Sequence, residues 1–252
     1  MEKEREISIK MREFLRDNIR LQTDFQNTDQ SRGKAMPAIQ KPTGENQKII
    51  SLPDWKNCKL SNNDFKDILI KRQSIRSYSE ESLSLEELSW LLYATQGVRD
   101  HSPIRTFRTV PSAGNRHPFE TYLVVFNVDG LKEGIYRYLP LDNALVFEKS
   151  ETDLSNKTSI AALGQKMAGR SALTFIWTAI PYRTEWRYSK ASAKVIAMDI
   201  GHICQNLYLA CNSIACGTCE IAAYHQKFAD ELLELDGEEE FVIAMSPVGK
   251  LR

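Results

Sequence analysis

Residues 184–214 constrain this chain more than any other stretch. They carry no proline, and Val195, Ile196, Met198, Ile200, Ile203, Leu207 and Leu209 fall on more than one side of a helix. Asp199, His202, Gln205 and Asn206 interrupt the apolar run, which argues against a membrane span. A helix apolar on several sides has to be a central core helix or one shared with a second subunit, and the rest of the fold must be arranged around it. The 252 residues give ample length for such a core. Basic and acidic residues balance at 33 each, so the net charge is zero. That balance argues against nucleic acid or an anionic membrane as the main partner, since both demand basic excess. An anion bound by this chain is bound locally.

Punctuation around the long stretch predicts a mixed α+β fold. Residues 1–20 are dense in charge, with Ile7, Met11, Phe14 and Leu15 at helical spacing, and residues 22–48 read as an extended arm. Residues 1–48 are therefore set apart from a single domain over 49–252. Ser61 and Asp64 signal a helix start with Phe65, Ile68 and Leu69 facing inward, and Ser84 with Glu87 repeats the device before Leu85, Leu88, Leu91 and Leu92. Gly97 supplies the stop. Residues 119–128, 172–180, 217–223 and 240–248 read as strands, and 134–138 with 144–149 as a hairpin. Neither a GxGxxG nor a GxxxxGK[ST] motif occurs, so a dinucleotide fold or P-loop is not supported.

Two short motifs carry candidate chemistry. In Arg72-Gln73-Ser74-Ile75-Arg76, extended backbone puts residues 72, 74 and 76 on one face. Two guanidiniums and a hydroxyl there suit a phosphate and its neighbouring hydroxyls. The loop Arg108–Pro118 is stiffened by Pro111 and Pro118, while Ser112-Ala113-Gly114 keeps its middle thin enough to lie against a flat ligand. Asn115 can donate and accept together, as a heterocycle edge requires. Five cysteines, without an apolar signal segment near Met1, read as free thiols in a reducing cytosol. Cys216-Gly217-Thr218-Cys219 lacks the second ligand pair of a metal site and is read as structural. His202 is read as a core histidine, and Trp177, Tyr182 and Trp186 as packing.

Arg72-x-Ser74-x-Arg76 followed by Pro111-Ser112-Ala113-Gly114-Asn115-Arg116-His117-Pro118 resembles the FMN-binding signature of the nitroreductase superfamily. Glu185-Trp186-Arg187-Tyr188, Gly201–Leu209, Cys216–Cys219 and Ser246-Pro247-Val248-Gly249 resemble the SagB-type dehydrogenases within it, some of which oxidise azolines in peptide natural products. The likeness spans about residues 50–252. It implies a central, mainly antiparallel sheet flanked by helices, in an intertwined homodimer with two FMN sites at the interface. Arg72 and Ser74 would meet the phosphate and ribityl chain, and Arg76 the pyrimidine edge. Pro111, Ser112, Ala113 and Asn115 would approach the ring from the neighbouring subunit. Ile221 would lie against the ring face, the Ala222 N–H near flavin N5, and Lys250 and Arg252 at the phosphate. Hydride would pass through N5 by a ping-pong mechanism, from NAD(P)H to a nitroaromatic or quinone, or from a modified peptide to dioxygen. A flavin-holding partner protein without turnover is the remaining reading.

Several positions depart from the family pattern. Ala222-Ala223 replaces the Gly-Gly of many relatives, and Glu220 stands where an apolar or aromatic residue is usual. Arg187-Tyr188 occupies the place of a Lys-Tyr pair proposed as the base of azoline oxidases. Arginine keeps its proton at neutral pH, so Arg187 cannot be that base, while Tyr188 can act as acid or substrate anchor. Little chain follows Gly249, and residues 1–48 are expected to take over the wrapping that a C-terminal arm performs in many nitroreductases.

Overall fold

The computed structural model describes residues 2–102 and 104–252. Two helices, α1 (Glu2–Leu15) and α2 (Asn18–Leu21), precede an extended arm that ends in β1 (Ile49–Ser51). α3 (Phe65–Lys71), α4 (Leu85–Gln96) and a hairpin of β2 (Val98–Ser102) and β3 (Arg105–Arg108) follow. Next come β4 (Phe119–Val125), β5 (Gly134–Leu139), β6 (Ala144–Lys149), α5 (Leu154–Ala161) and β7 (Leu173–Ala179). The chain closes with α6 (Tyr182–Tyr188), α7 (Ser192–Ser213), β8 (Cys216–Thr218), α8 (Gln226–Leu232) and β9 (Phe241–Lys250).

Seven strands form one sheet in the order β1-β6-β5-β4-β7-β9-β8, with every neighbouring pair antiparallel. This is the expected α+β class. β4 and β7 are buried at every position because helices cover both faces of the sheet. On one face, Leu88, Leu91 and Leu92 of α4 and Ile196, Ile200, Ile203 and Leu207 of α7 meet Phe175 and Trp177. On the other, α5 and α8 bring Leu154, Ala229 and Leu232 against Tyr122, Val124, Ile176 and Met245. Among the described residues no helix is long and apolar enough to cross a membrane.

The capping signals were legible, with corrections. At α4 both arms of the capping box form: Ser84 Oγ accepts the Glu87 N–H at 3.2 Å and Glu87 Oε2 accepts the Ser84 N–H at 3.0 Å. At α3 the cap is Asp64, which takes the N–H groups of Lys66 and Asp67, while Ser61 turns to the Ser213 carbonyl. α3 buries Ile68 alone; Phe65 and Leu69, expected inward, are exposed. Two turns of helix offer the core a single contact row.

The stretch 184–214 is two helices, not one. Ser189 adopts φ 47°, a left-handed conformation that a serine side chain disfavours and that ends α6 before α7 begins. Only one side of α7 is buried. Met198 is 54% exposed, and His202, expected in the core, lies on this same uncovered side. Apolar residues on several sides thus mean a second helix face that this chain leaves open.

Beneath the arm lies a network of buried charges. Glu120 accepts from Arg183 Nη2 and from the Lys41 backbone N–H, and Arg137 stands 3.7 Å away. Arg137 also donates to Glu148 at 2.8 Å and to the Lys41 and Pro42 carbonyls at 3.0 Å each. Arg108 donates to Gln96 Oε1 at 2.8 Å and to the Ile39 carbonyl at 3.1 Å. Burial pulls the Arg108 guanidinium down to about 10. Buried cations need such partners, and arm residues 39–42 provide many of them as backbone carbonyls.

Candidate functional site

The Arg72–Arg76 motif forms a fringe along the β8 edge. α3 ends at Arg72, whose ψ of 119° starts an extended run. Ile75 donates to the Thr218 carbonyl at 2.9 Å. Gly217 makes this contact possible, because a Cβ there would sit 2.6 Å from Ile75 Cβ. Ile75 faces β8, and Ser74 and Arg76 on either side of it are exposed. The Arg72 guanidinium lies 5.5 Å from the Tyr208 ring centroid. Ser74 Oγ is 3.0 Å from the Tyr208 hydroxyl, which accepts the Glu220 N–H at 2.9 Å. Among the described residues, no carboxylate pairs with Arg72 or Arg76.

β8 ends at Thr218, short of the expected strand 217–223, and the segment after Cys219 rejoins the sheet by an isolated bridge at Ile221. Ile221 exchanges hydrogen bonds with Met245 at 2.7 and 3.2 Å, and its side chain is buried in the core with Ile176. Ile221, expected against a ligand face, therefore offers no side chain to a ligand. Ala222, the next residue, is exposed, and among the described residues its N–H has no hydrogen-bond acceptor.

Lys250 also departs from expectation. Its ammonium is closed on Glu87, in the α4 capping box. Burial works against the charged ammonium, but the Glu87 carboxylate outweighs it and raises the Lys250 pKa. A cation at a half-covered strand end takes the nearest carboxylate, so Lys250 is not free for a phosphate. Arg252, at the same end, spends Nε on the Tyr78 carbonyl at 2.9 Å.

The 111–117 loop is held from within by α7. Asp199 accepts from Ser112 Oγ at 2.6 Å and from the Ala113 N–H at 3.0 Å, while Ser112 Oγ accepts the His117 N–H at 2.9 Å. Burial pushes the Asp199 carboxyl up. Gly114, at φ 59°, lies against α6, where a Cβ would fall 2.6 Å from the Tyr188 hydroxyl. Asn115 Oδ1 is 2.8 Å from His117 Nε2, and its buried Nδ2 has no partner among the described residues. Pro111 is exposed at the mouth of the loop. Arg187 is exposed, 5.6 Å from the Tyr188 ring and 3.4 Å from Gln30 Oε1 on the arm.

These two groups do not converge within one chain. Asp199 holds the loop and Tyr208 holds the fringe, nine residues apart on α7. At 100° and 1.5 Å per residue they point to opposite sides of the helix, about 14 Å apart along its axis. In the sequence Asp199 shows only as an interruption of the apolar run, Tyr208 only as part of the Gly201–Leu209 stretch, and Gln30 carries no signal. A polar residue that breaks an apolar helix was the available signal for Asp199. The five cysteines are free thiols, four of them buried, and burial pushes Cys216 up to about 12. A flat, phosphate-bearing cofactor suits what remains open among the described residues: two guanidiniums without carboxylates, the Ala222 N–H and the Asn115 amide donor.

This fold and these motifs define a class. Residues 69–250 match the sequence profile of the nitroreductase family, and the chain belongs to that family of oxidoreductases. A provisionally named nitroreductase of Methanocaldococcus jannaschii is 35% identical over 201 residues, covering 80% of this chain and 96% of the relative. The trifolitoxin-processing protein TfxB of Rhizobium leguminosarum bv. trifolii is 29% identical over 133 residues, covering 51% of this chain and 36% of the relative. A crystal structure of a provisionally named nitroreductase from Ralstonia eutropha aligns with a TM-score of 0.67 and 25% identity, covering 83% and 92% of the two chains.

Proposed function

We propose that this protein is an FMN-dependent oxidoreductase that works as a homodimer and reduces nitroaromatic or quinone-like acceptors with NAD(P)H. The observation that carries the reading is the open fringe, where among the described residues Arg72, Ser74 and Arg76 stand without carboxylate partners and Tyr208 ties Ser74 to the Glu220 backbone. Arg72 and Ser74 would hold the phosphate end of the ribityl chain, and Arg76 would stabilise negative charge at the pyrimidine edge. The Ala222 N–H would donate to the ring. Pro111, Ser112, Ala113 and Asn115 would come from the second copy, since α7 separates them from the fringe of their own chain. The uncovered side of α7, with Met198 exposed and open space over Gly201, is the surface for that copy. When bound, the flavin supplies reversible two-electron hydride exchange, so donor and acceptor react in turn. Tyr188 would anchor the acceptor.

A modified peptide as substrate is the second reading, favoured by the likeness to the trifolitoxin-processing protein. Arg187 weakens it, because a guanidinium cannot serve as a base at neutral pH. The test is anaerobic photoreduction of the purified protein, then reoxidation by a quinone, a nitroaromatic and dioxygen in parallel. Fast reoxidation by the first two supports the reductase. Reoxidation by dioxygen alone favours the peptide oxidase. Bound flavin that none of them reoxidises leaves a flavin-holding partner protein.

A further inference from the structure

Tyr208 lies half-buried on α7 at the meeting point of three segments: the Arg72–Arg76 fringe, the helix itself and the backbone at Glu220 that follows β8. Its hydrogen bonds have a direction. The Glu220 N–H can only donate, so the phenol oxygen accepts there, at 2.9 Å. Ser74 Oγ, 3.0 Å away, is within reach of the phenol proton and can accept it. A serine hydroxyl that accepts from a phenol keeps its own proton to give, and exposed Ser74 can aim it outward between two unpaired guanidiniums. The same ring lies under the Arg72 guanidinium, 5.5 Å from its centroid, so one side chain sets two adjacent donors.

We propose that Tyr208 is a positioning residue, the middle of a polarised relay from the Glu220 N–H through the phenol to Ser74, which fixes the serine as a donor to the phosphate end of the cofactor. This rests on the flavin reading above. Aligned hydrogen bonds strengthen one another, so the backbone dipole at Glu220 is felt at the serine proton. A tyrosine that merely packed would serve any ligand in the site equally. One that orients Ser74 serves only a ligand with an anion at the fringe.

The test uses the full chain freed of flavin by dialysis, titrated with FMN and with riboflavin, which lacks the phosphate. Tyr208→Phe keeps the ring under Arg72 and removes the relay. The expected result is an FMN Kd raised about three- to ten-fold, with riboflavin binding and the melting temperature unchanged. Ser74→Ala should weaken FMN to a similar degree, and adding Tyr208→Phe to it should cost nothing more, because the phenol acts through the serine. Equal weakening of FMN and riboflavin overturns the proposal in favour of packing. Additive losses in the double variant overturn it in favour of an independent role. A wild-type chain that binds neither flavin is a third, separate result that removes the flavin reading itself.

Discussion

Two sets of arginines in this protein share a chemistry and differ in everything around it. Arg108, Arg137 and Arg183 are buried, and carboxylates, an amide and the carbonyls of arm residues 39–42 answer them. Arg72 and Arg76 sit at a sheet edge with no carboxylate partner among the described residues, and Tyr208 lies under Arg72. A buried guanidinium cannot wait for a ligand, because desolvation without a partner costs too much. An exposed one can, since water holds it until an anion arrives. The first set ties the arm to the sheet; the second is free to bind.

The largest effect expected from breaking this contrast is at Glu120. Glu120→Ala leaves Arg183 and Arg137 buried without their shared carboxylate, and should cost about 3–5 kcal/mol in chemical denaturation. A loss under about 1 kcal/mol would show that the network does not clamp the fold.

His117 tests the same interior by pH. Burial, helped by the Arg108 charge, lowers it from 6.5 to about 3. The folded state thus favours the neutral ring, whose contribution is complete above about pH 6.5 and is lost as pH falls towards 3. His117→Gln should flatten that acid limb of stability. An unchanged slope would count against it.

Two cations on the outer side sharpen the comparison with smaller effects. Arg72→Ala should weaken FMN by at least about ten-fold, the loss of a charge-assisted contact, with stability moved by no more than about 0.5 kcal/mol. Lys250→Ala should do the reverse: flavin content near wild type, and a stability loss of up to about 1 kcal/mol as Glu87 loses its partner. Equal flavin content in the two purified variants would erase the distinction between open and closed cations.

Much of the fold was readable because its signals are local. The 134–138 and 144–149 hairpin and the Ser84–Glu87 capping box depend on neighbours a few residues away, and they stand where expected. The break at Ser189 was not readable, since serine does not announce a positive φ. Within the site, the alternation of Arg72, Ser74 and Arg76 followed from extended backbone. The closure of Lys250 on Glu87 joins residues 163 positions apart and could not be inferred from either neighbourhood.

Local chemistry alone determined most of the helices and strands, the charge balance and the motifs that mark a nitroreductase. Tertiary structure decided which of those motif residues remain available. It closed Lys250, sank the Ile221 side chain, tied Ser112 to Asp199 and set Tyr208 beneath Arg72. The reason is physical: residue type and spacing set what a side chain can bond, but solvation and distance select the bond it makes, and both exist only once the chain has folded.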